Sequence, residues 1–155
     1  MGVDPTPAPL ADVSIGAAIE TYTVARFGSS GTMTAALIIT TAVKAVPVKQ
    51  IGYSGLMVPV MGDKRLAQRW AEGAYNTDSL LAYSAVCGTG LDTIPLHGDI
   101  SEAQLTRIFG DVASLAWKWH KPLSARLRPV LGKKDGGQTE FSDPYLFNTT
   151  VHALP

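Results

Sequence analysis

The pattern of apolar and polar positions predicts about five helices and a few strands. A first helix is expected from about residue 13 to residue 26, capped by Asp12, and a second from Thr32 to about residue 46. The second is apolar almost all round, which predicts that protein covers it on both sides. Shorter helices are expected after the capping residues Asp63 and Thr77.

The second half of the chain predicts a long helix and a strand with two distinct faces. Ser101 and Gln104 match a capping box, apolar residues keep helical spacing as far as Trp119, and Pro122 ends the helix. The stretch "PLSARLRPVL" then alternates strictly, as a half-buried strand does. It places one set of side chains on one face and a second set on the other: Leu123, Ala125 and Leu127, then Ser124, Arg126 and Arg128.

Two more strands are expected, and together the elements predict an α/β protein. One strand lies within "VKQIGYSGLMVPV" and the other within "YLFNTTVHAL", whereas "SAVCGTGLDTIPLHGD" (84–99) is interpreted as a loop. The chain of 155 residues fits one domain, residues 1–155. Since the strands are few and the second helix needs cover on every side, we expect the chain to pack against more protein than it contains.

Composition removes several classes of function. Basic and acidic residues number 13 each, so the chain lacks the net positive charge typical of proteins that bind nucleic acid or anionic membranes. A single cysteine excludes an internal disulfide and favours a reducing, cytoplasmic location. No secretory signal, membrane span or spacing of metal ligands stands in the sequence, so no metal is predicted.

The 84–99 segment contains the candidates for catalysis, Cys87 and Asp92. Cys87 is expected at the end of a short helix, where the helix dipole disfavours a thiolate, so a small buried cysteine is the competing interpretation. Flexible glycines let backbone amides approach a ligand, although a tight turn explains them equally well. The ligand-binding residues predicted here are Gly88, Thr89, Gly90, Asp92 and Thr93.

Three other stretches offer chemistry, each with a structural alternative. "FGSSGT" places Gly28, Ser29, Ser30, Gly31 and Thr32 before a helix, where free amides can bind an anion or where Ser30 or Thr32 simply caps. Arg126 can clamp a carboxylate or phosphate, or lie on a solvated sheet face. "GKKDGGQTEF" is either a lid or a solvated connection between strands.

Several of these stretches, taken in order, resemble a known family. They are "DPTPAPLADVSIGAAIE", "FGSSGTMTAA", "IGYSGLMVPV", "LLAYSAVCGTGLDTIPLHGDIS" and "KPLSARLRPVLGKKDGGQTEFSDPYLFN". The chain resembles the C-terminal part of a prokaryotic family of uncharacterised proteins, domain of unknown function 711 (uncharacterised protein family 0210). The resemblance implies part of an α/β barrel similar to that of pyruvate formate-lyase. The rest of the barrel is then expected from a missing N-terminal segment or from another chain.

The barrel resemblance also suggests a comparison of Cys87 with the thiyl-radical cysteine of glycyl radical enzymes. The radical chemistry is not carried over, because "PYLFNTTVHALP" has no glycine and no glycyl radical segment is seen, so the cofactor is unknown.

Three hypotheses remain open. The first is an enzyme, or an enzyme relic, that binds a small anionic metabolite at the barrel centre. The second is a non-catalytic structural or regulatory subunit that forms a homo-oligomer or completes a partner chain. The third is a thiol-dependent enzyme that uses Cys87. Nucleic acid and membranes are not expected partners.

Overall fold

The fold was analysed in a computed structural model, which describes residues 1–7, 9 and 13–153. Within these residues five helices and two strands follow one another along the chain. They are α1 (Ile15–Thr23), α2 (Thr32–Lys44), α3 (Lys64–Ala71), α4 (Thr77–Ser84), β1 (Gly90–His97), α5 (Glu102–Trp119) and β2 (Ser124–Val130).

The helices follow the predicted pattern, with corrections at their ends. Asp63 caps α3 as predicted, and Ser101 and Gln104 form the predicted capping box of α5. The cap of α4 is Asn76, whose side-chain oxygen accepts a hydrogen bond from the backbone N of Ser79 at 2.9 Å, and not Thr77.

The first two helices are shorter than predicted. The side chain of Ser14 caps α1 by accepting a hydrogen bond from the backbone N of Ala17. The predicted cap Asp12 lies outside the described residues. The helix ends at Thr23 because Val24 adopts a left-handed conformation with φ of 53°. Helix α2 ends at Lys44.

The interpretation of residues 84–99 as a loop is wrong, because Gly90–His97 form the buried strand β1. It pairs in parallel with β2, and α5 connects the two strands as a βαβ unit. Asp92 and Thr93 form a bulge in the register, with Thr93 at φ of 49°. A strand buried on both faces shows no alternation, which is why the pattern did not reveal it.

The other two predicted strands are also wrong. The segment around residues 48–60 makes only isolated bridges, one of them between Pro59 and Asp92 on the side of β1 away from β2. The C-terminal segment makes one antiparallel bridge, between Gln138 and Thr150. Instead of joining a sheet, it bonds to α3: the indole Nε1 of Trp70 donates to the carbonyl oxygen of Thr150 at 2.9 Å.

The architecture is therefore mixed α/β around one apolar core. The core joins residues from α1, α2, α3 and α4 with β1 and the inner face of α5. The alternation predicted for β2 is confirmed, since Leu123, Ala125 and Leu127 pack on this core and Arg126 and Arg128 are exposed. In the described residues the sheet has two strands and does not form a closed barrel, so the barrel remains a prediction.

Helix α2 was predicted to be covered by protein on both sides, and one of its sides is exposed. Ala35, Ala36 and Thr40 are buried, whereas the side chains of Leu37 and Ile38 on the opposite side are 49% and 45% exposed. The described part of the chain thus covers only one face of this apolar helix.

Candidate functional site

A cavity of about 620 Å³ lies at the amino ends of β1 and β2. Four parts of the chain form it: the end of α2, the segment Gln50–Ser54, and the two turns that precede the strands. The lining residues are Lys44, Gln50, Ile51, Gly52, Tyr53, Ser54, Cys87, Gly88, Lys121, Pro122, Leu123 and Ser124. This volume suits a small-molecule ligand.

Two lysines give the cavity its charge. Burial lowers the pKa of Lys121, and the nearby positive charge of Lys44 lowers it further, while Cys87 acts in the opposite direction. The ammonium of Lys121 also donates a hydrogen bond to the carbonyl oxygen of Cys87. Among the described residues that line the cavity there is no Asp or Glu, so neither lysine has an acidic partner in the lining.

The segment Gln50–Ser54 is held in place from behind by Asp4. The Asp4 carboxylate accepts hydrogen bonds from the backbone N of Tyr53 at 3.1 Å and of Ser54 at 3.0 Å. On the cavity side the hydroxyl of Tyr53 donates to that of Ser124 at 3.1 Å and joins this wall to β2. Neutral hydroxyl and amide groups thus stand beside the two lysines.

The glycines predicted to bind a ligand serve packing in the folded chain. The backbone N of Gly88 donates to the carbonyl oxygen of Leu56 at 2.7 Å, and a Cβ on Gly88 would lie 2.7 Å from the backbone of Gly55. Gly90 has φ of 110°, and a Cβ there would lie 2.3 Å from the carbonyl oxygen of Ser124. Only Gly88 of the predicted ligand-binding set lines the cavity.

Cys87 lines the cavity, but its side chain is only 1% exposed. It follows the end of α4, and its backbone N donates to the carbonyl oxygen of Tyr83 at 2.8 Å. This is the helix end predicted from the sequence.

Asp92 and Arg126 form a pair away from the cavity lining. A guanidinium nitrogen of Arg126 donates to Oδ2 of Asp92 at 2.6 Å, and this hydrogen bond raises the pKa of Arg126. The Asp92 side chain is fully buried, and its Oδ1 has no hydrogen-bond partner among the described residues. Thr89 and Thr93 are buried beside it and bond to the backbone of residues 56 and 61.

The "FGSSGT" turn lies at the other end of α2 from the cavity. A helix of 13 residues is about 20 Å long, so the turn and Lys44 do not belong to one site. Its backbone is used locally: the N of Gly28 donates to the hydroxyl of Thr32, which is buried, and the N of Thr32 donates to the carbonyl of Ser29. Ser29, Ser30 and Gly31 are exposed.

The glycine-rich loop after β2 bonds to the C-terminal segment. The carboxylate of Asp135 accepts from the backbone N of Ala153 at 2.7 Å, and the backbone N of Gly136 donates to the carbonyl oxygen of Val151 at 2.9 Å. Within the loop, Lys133 pairs with Glu140 at 2.8 Å. These contacts fit a connection between two adjacent segments, one of the two interpretations of its sequence.

Comparison with known proteins places the chain in a family. The model of the family described as "Uncharacterised ACR (DUF711)" matches residues 1–142. The chain belongs to the DUF711 family. This result confirms the family predicted from the sequence motifs.

Relatives of this DUF711 chain occur in archaea and bacteria. A UPF0210 protein of Pyrobaculum aerophilum is 41% identical over 143 residues, which cover 90% of this chain and 32% of that protein. UPF0210 proteins of Desulforudis audaxviator and Lacticaseibacillus casei are 34% and 30% identical over 139 residues. These alignments cover 87% of this chain and 31% and 30% of the relatives.

The DUF711 chain thus spans about a third of the length of the curated relatives that it matches. No solved structure matches it. In the part of the chain that the structure describes, no helix is long and apolar enough to cross a membrane. Nor do three His, Cys, Asp or Glu side chains meet there as a metal site would require.

The two lysines of the cavity and its Tyr53 were not predicted from the sequence. Lys44 is the last residue of the apolar helix α2, and Lys121 follows the long helix α5 with no motif around it. They are 77 positions apart in the chain. The pairing of β1 with β2 places Lys121 beside Cys87, whereas Lys44 comes to the cavity from the end of α2. No local signal could have found them.

Proposed function

We propose that this protein binds a small carboxylate or phosphate metabolite in the cavity between Lys44 and Lys121, as the ligand site of an enzyme or of an enzyme relic. The observation that carries the proposal is the pair of lysines in one cavity whose described lining residues include no Asp or Glu. Two ammonium groups close together repel each other, and a bound anion removes this repulsion.

The surroundings of the lysines support a polar ligand of small size. Tyr53 and Ser124 supply hydroxyl groups, and Leu123 and Pro122 supply apolar surface. The side chains of Gln50 and Ser54 already donate to backbone carbonyl oxygens. A carboxylate or phosphate would accept charge-assisted hydrogen bonds from the lysines while the neutral groups orient the rest of the molecule. Arg126, the earlier candidate for this role, is already paired with Asp92.

The carboxyl ends of the strands are a weaker place for such a ligand, although open α/β sheets commonly bind ligands there. At that edge His97 pairs with Asp99 at 2.7 Å and Lys133 pairs with Glu140. These two basic side chains therefore have acidic partners, whereas the lysines of the cavity have none in its lining. The position of the cavity at the centre of a barrel remains part of the proposal.

A thiol-dependent reaction at Cys87 has less support. Its side chain is 1% exposed, and a reactive cysteine must reach a substrate. In the proposed site Cys87 contributes its carbonyl oxygen, which holds the ammonium of Lys121 at the cavity wall.

The test is calorimetric titration of the protein with inorganic phosphate and with succinate. We expect binding that Lys121→Gln and Lys44→Gln each weaken about tenfold or more, since a hydrogen bond to a charged group contributes about 1.5–3 kcal/mol. Lys64→Gln is the matched control, because Lys64 is exposed on α3 and outside the cavity. Absence of binding, or equal loss with Lys64→Gln, would contradict the proposal.

The same titration has an expected pH dependence. Because the pKa of Lys121 is lowered, its ammonium loses its proton at a lower pH than an ordinary lysine. Affinity should be full below that pKa and should fall as the pH rises through it, with proton uptake on binding. In the Lys121→Gln variant this part of the pH dependence should be absent.

A further inference from the structure

The outer face of α2 is an exposed apolar surface on a helix that carries almost no charge. Met33, Leu37 and Ile38 are 42%, 49% and 45% exposed, and Lys44, the last residue, is the only charged residue of the helix. Met33 and Leu37 are four positions apart and therefore stack on one side of the helix. Thr34 and Thr41, which are also exposed, complete an uncharged face.

Helix α3, by contrast, presents a polar face to solvent. On α3 the buried side chains are Leu66, Ala67 and Trp70, while Lys64 and Gln68 are exposed. This is the usual arrangement of a helix at a protein surface. The outer face of α2 therefore differs from that of α3.

The apolar surface continues beyond the end of the helix. Val46, Val48 and Ile51 are 39%, 44% and 51% exposed. Together with Met33, Leu37 and Ile38 they make up what we call the α2 surface. A surface of this composition marks a contact with other protein.

The length of the relatives indicates what covers the α2 surface. The chain matches curated DUF711 relatives over 30–32% of their length, so about two thirds of each relative lies outside the matched region. The matched region includes α2, and in every relative that region is joined to the remaining polypeptide. A second copy of this chain has no comparable observation in its favour.

We propose that the α2 surface docks the polypeptide that DUF711 relatives carry outside the matched region. The contact is apolar and uses no ion pair of the described residues, and it lies beside the cavity, since Lys44 ends α2 and Ile51 belongs to both. The proposal does not depend on anion binding in the cavity.

The test compares cysteine reactivity in this chain and in the intact Pyrobaculum aerophilum relative. Leu37→Cys and, as a control, Thr106→Cys on the exposed side of α5 are introduced here and at the aligned positions of the relative. Cys87 is buried and gives little background in the folded chain. Maleimide labelling is followed by mass spectrometry under native conditions, with the molar mass measured by light scattering.

We expect the cysteine at position 37 to react freely in this chain and at least tenfold more slowly in the intact relative, with the control reactive in both. Equal reactivity at the aligned position of the relative would overturn the proposal, because the α2 surface would then be free in the full-length protein. Protection that disappears when an oligomer dissociates on dilution would also overturn it, since a second copy would be the occupant. Neither result would bear on anion binding, which is measured separately.

Discussion

The buried pair of Asp92 and Arg126 is asymmetric, and this decides what each side chain contributes. Asp92 is completely buried in the bulge of β1 and has one carboxylate oxygen without a partner in the described residues. The side chain of Arg126 is 50% exposed, so water can solvate it when the pair is broken. Loss of the ion pair therefore destabilises the buried Asp92 carboxylate far more than the half-exposed Arg126 guanidinium.

We expect the substitution Arg126→Met to destabilise the fold by about 3 kcal/mol, because it leaves a buried carboxylate without its counter-charge. This value is at the lower end of the loss for a broken buried ion pair, since the side chain of Arg126 is 50% exposed to water. Asp92→Asn should cost about 1 kcal/mol or less, because its amide oxygen still accepts from Arg126. Urea denaturation of both variants measures the difference.

The double variant Asp92→Asn/Arg126→Met serves as the control for this asymmetry. Without a buried charge to strand, it should be more stable than Arg126→Met alone. Equal losses for the two single variants would contradict the asymmetric role that burial assigns to the pair.

At the scale of elements, one carboxylate joins the beginnings of two helices. Asp63 caps α3 by accepting from the backbone N of Leu66 at 2.9 Å, and it also accepts from the hydroxyl of Ser14 and the backbone N of Ile15, both at 2.7 Å. Asp63 is fully buried, so water cannot replace these contacts. The orientation of α1 against α3 depends on this side chain.

The variant Asp63→Ala should lose more stability than an ordinary helix cap. We expect a loss of about 3 kcal/mol, since three donors lose a charged acceptor. Ser101→Ala, which removes the exposed cap of α5, should cost about 1 kcal/mol and is the matched comparison. Thermal or urea unfolding of the two variants checks the ranking, and equal losses would show that Asp63 acts as a simple cap.

Helices could be predicted from the sequence because their signals are local. The capping residues Asp63 and Ser101 and the periodic apolar positions of α5 lie within the elements that they define. Strand β1 could not be predicted, since its Gly90 and Pro95 are typical of a loop. The strand is stabilised by pairing with β2, in which Gly90 pairs with Ser124, 34 positions further along the chain. The cavity brings together residues that are distant in the chain, so local patterns could not place Lys44 and Lys121 in it. Cys87 and Gly88 also line the cavity, and their role there stays a prediction.

At the scale of the whole molecule, an ion pair links two helices in addition to the shared apolar core. It joins α1 and the turn after it to α3. Nε of Arg69 donates to the carboxylate of Glu20 at 2.6 Å, and the backbone N of Phe27 donates to the same carboxylate at 3.0 Å. Burial raises the pKa of Glu20, but the hydrogen bonds from Arg69 and Phe27 outweigh it and leave the pKa below the usual value of 4.5.

This balance predicts how stability depends on pH. A carboxylate with a lowered pKa in the folded state contributes stability above the pKa of the unfolded chain, and the contribution disappears as the pH falls through the folded value. The native protein should therefore lose stability as the pH falls below about 4.5.

Glu20→Gln should be less stable than the native protein at pH 7, with a smaller further loss between pH 5 and pH 3. Urea midpoints across this range measure both effects, and parallel pH profiles for the two proteins would refute the assignment to Glu20. Glu140→Gln is the control, because Glu140 is exposed and pairs with Lys133 at the surface, where an ion pair contributes little to stability.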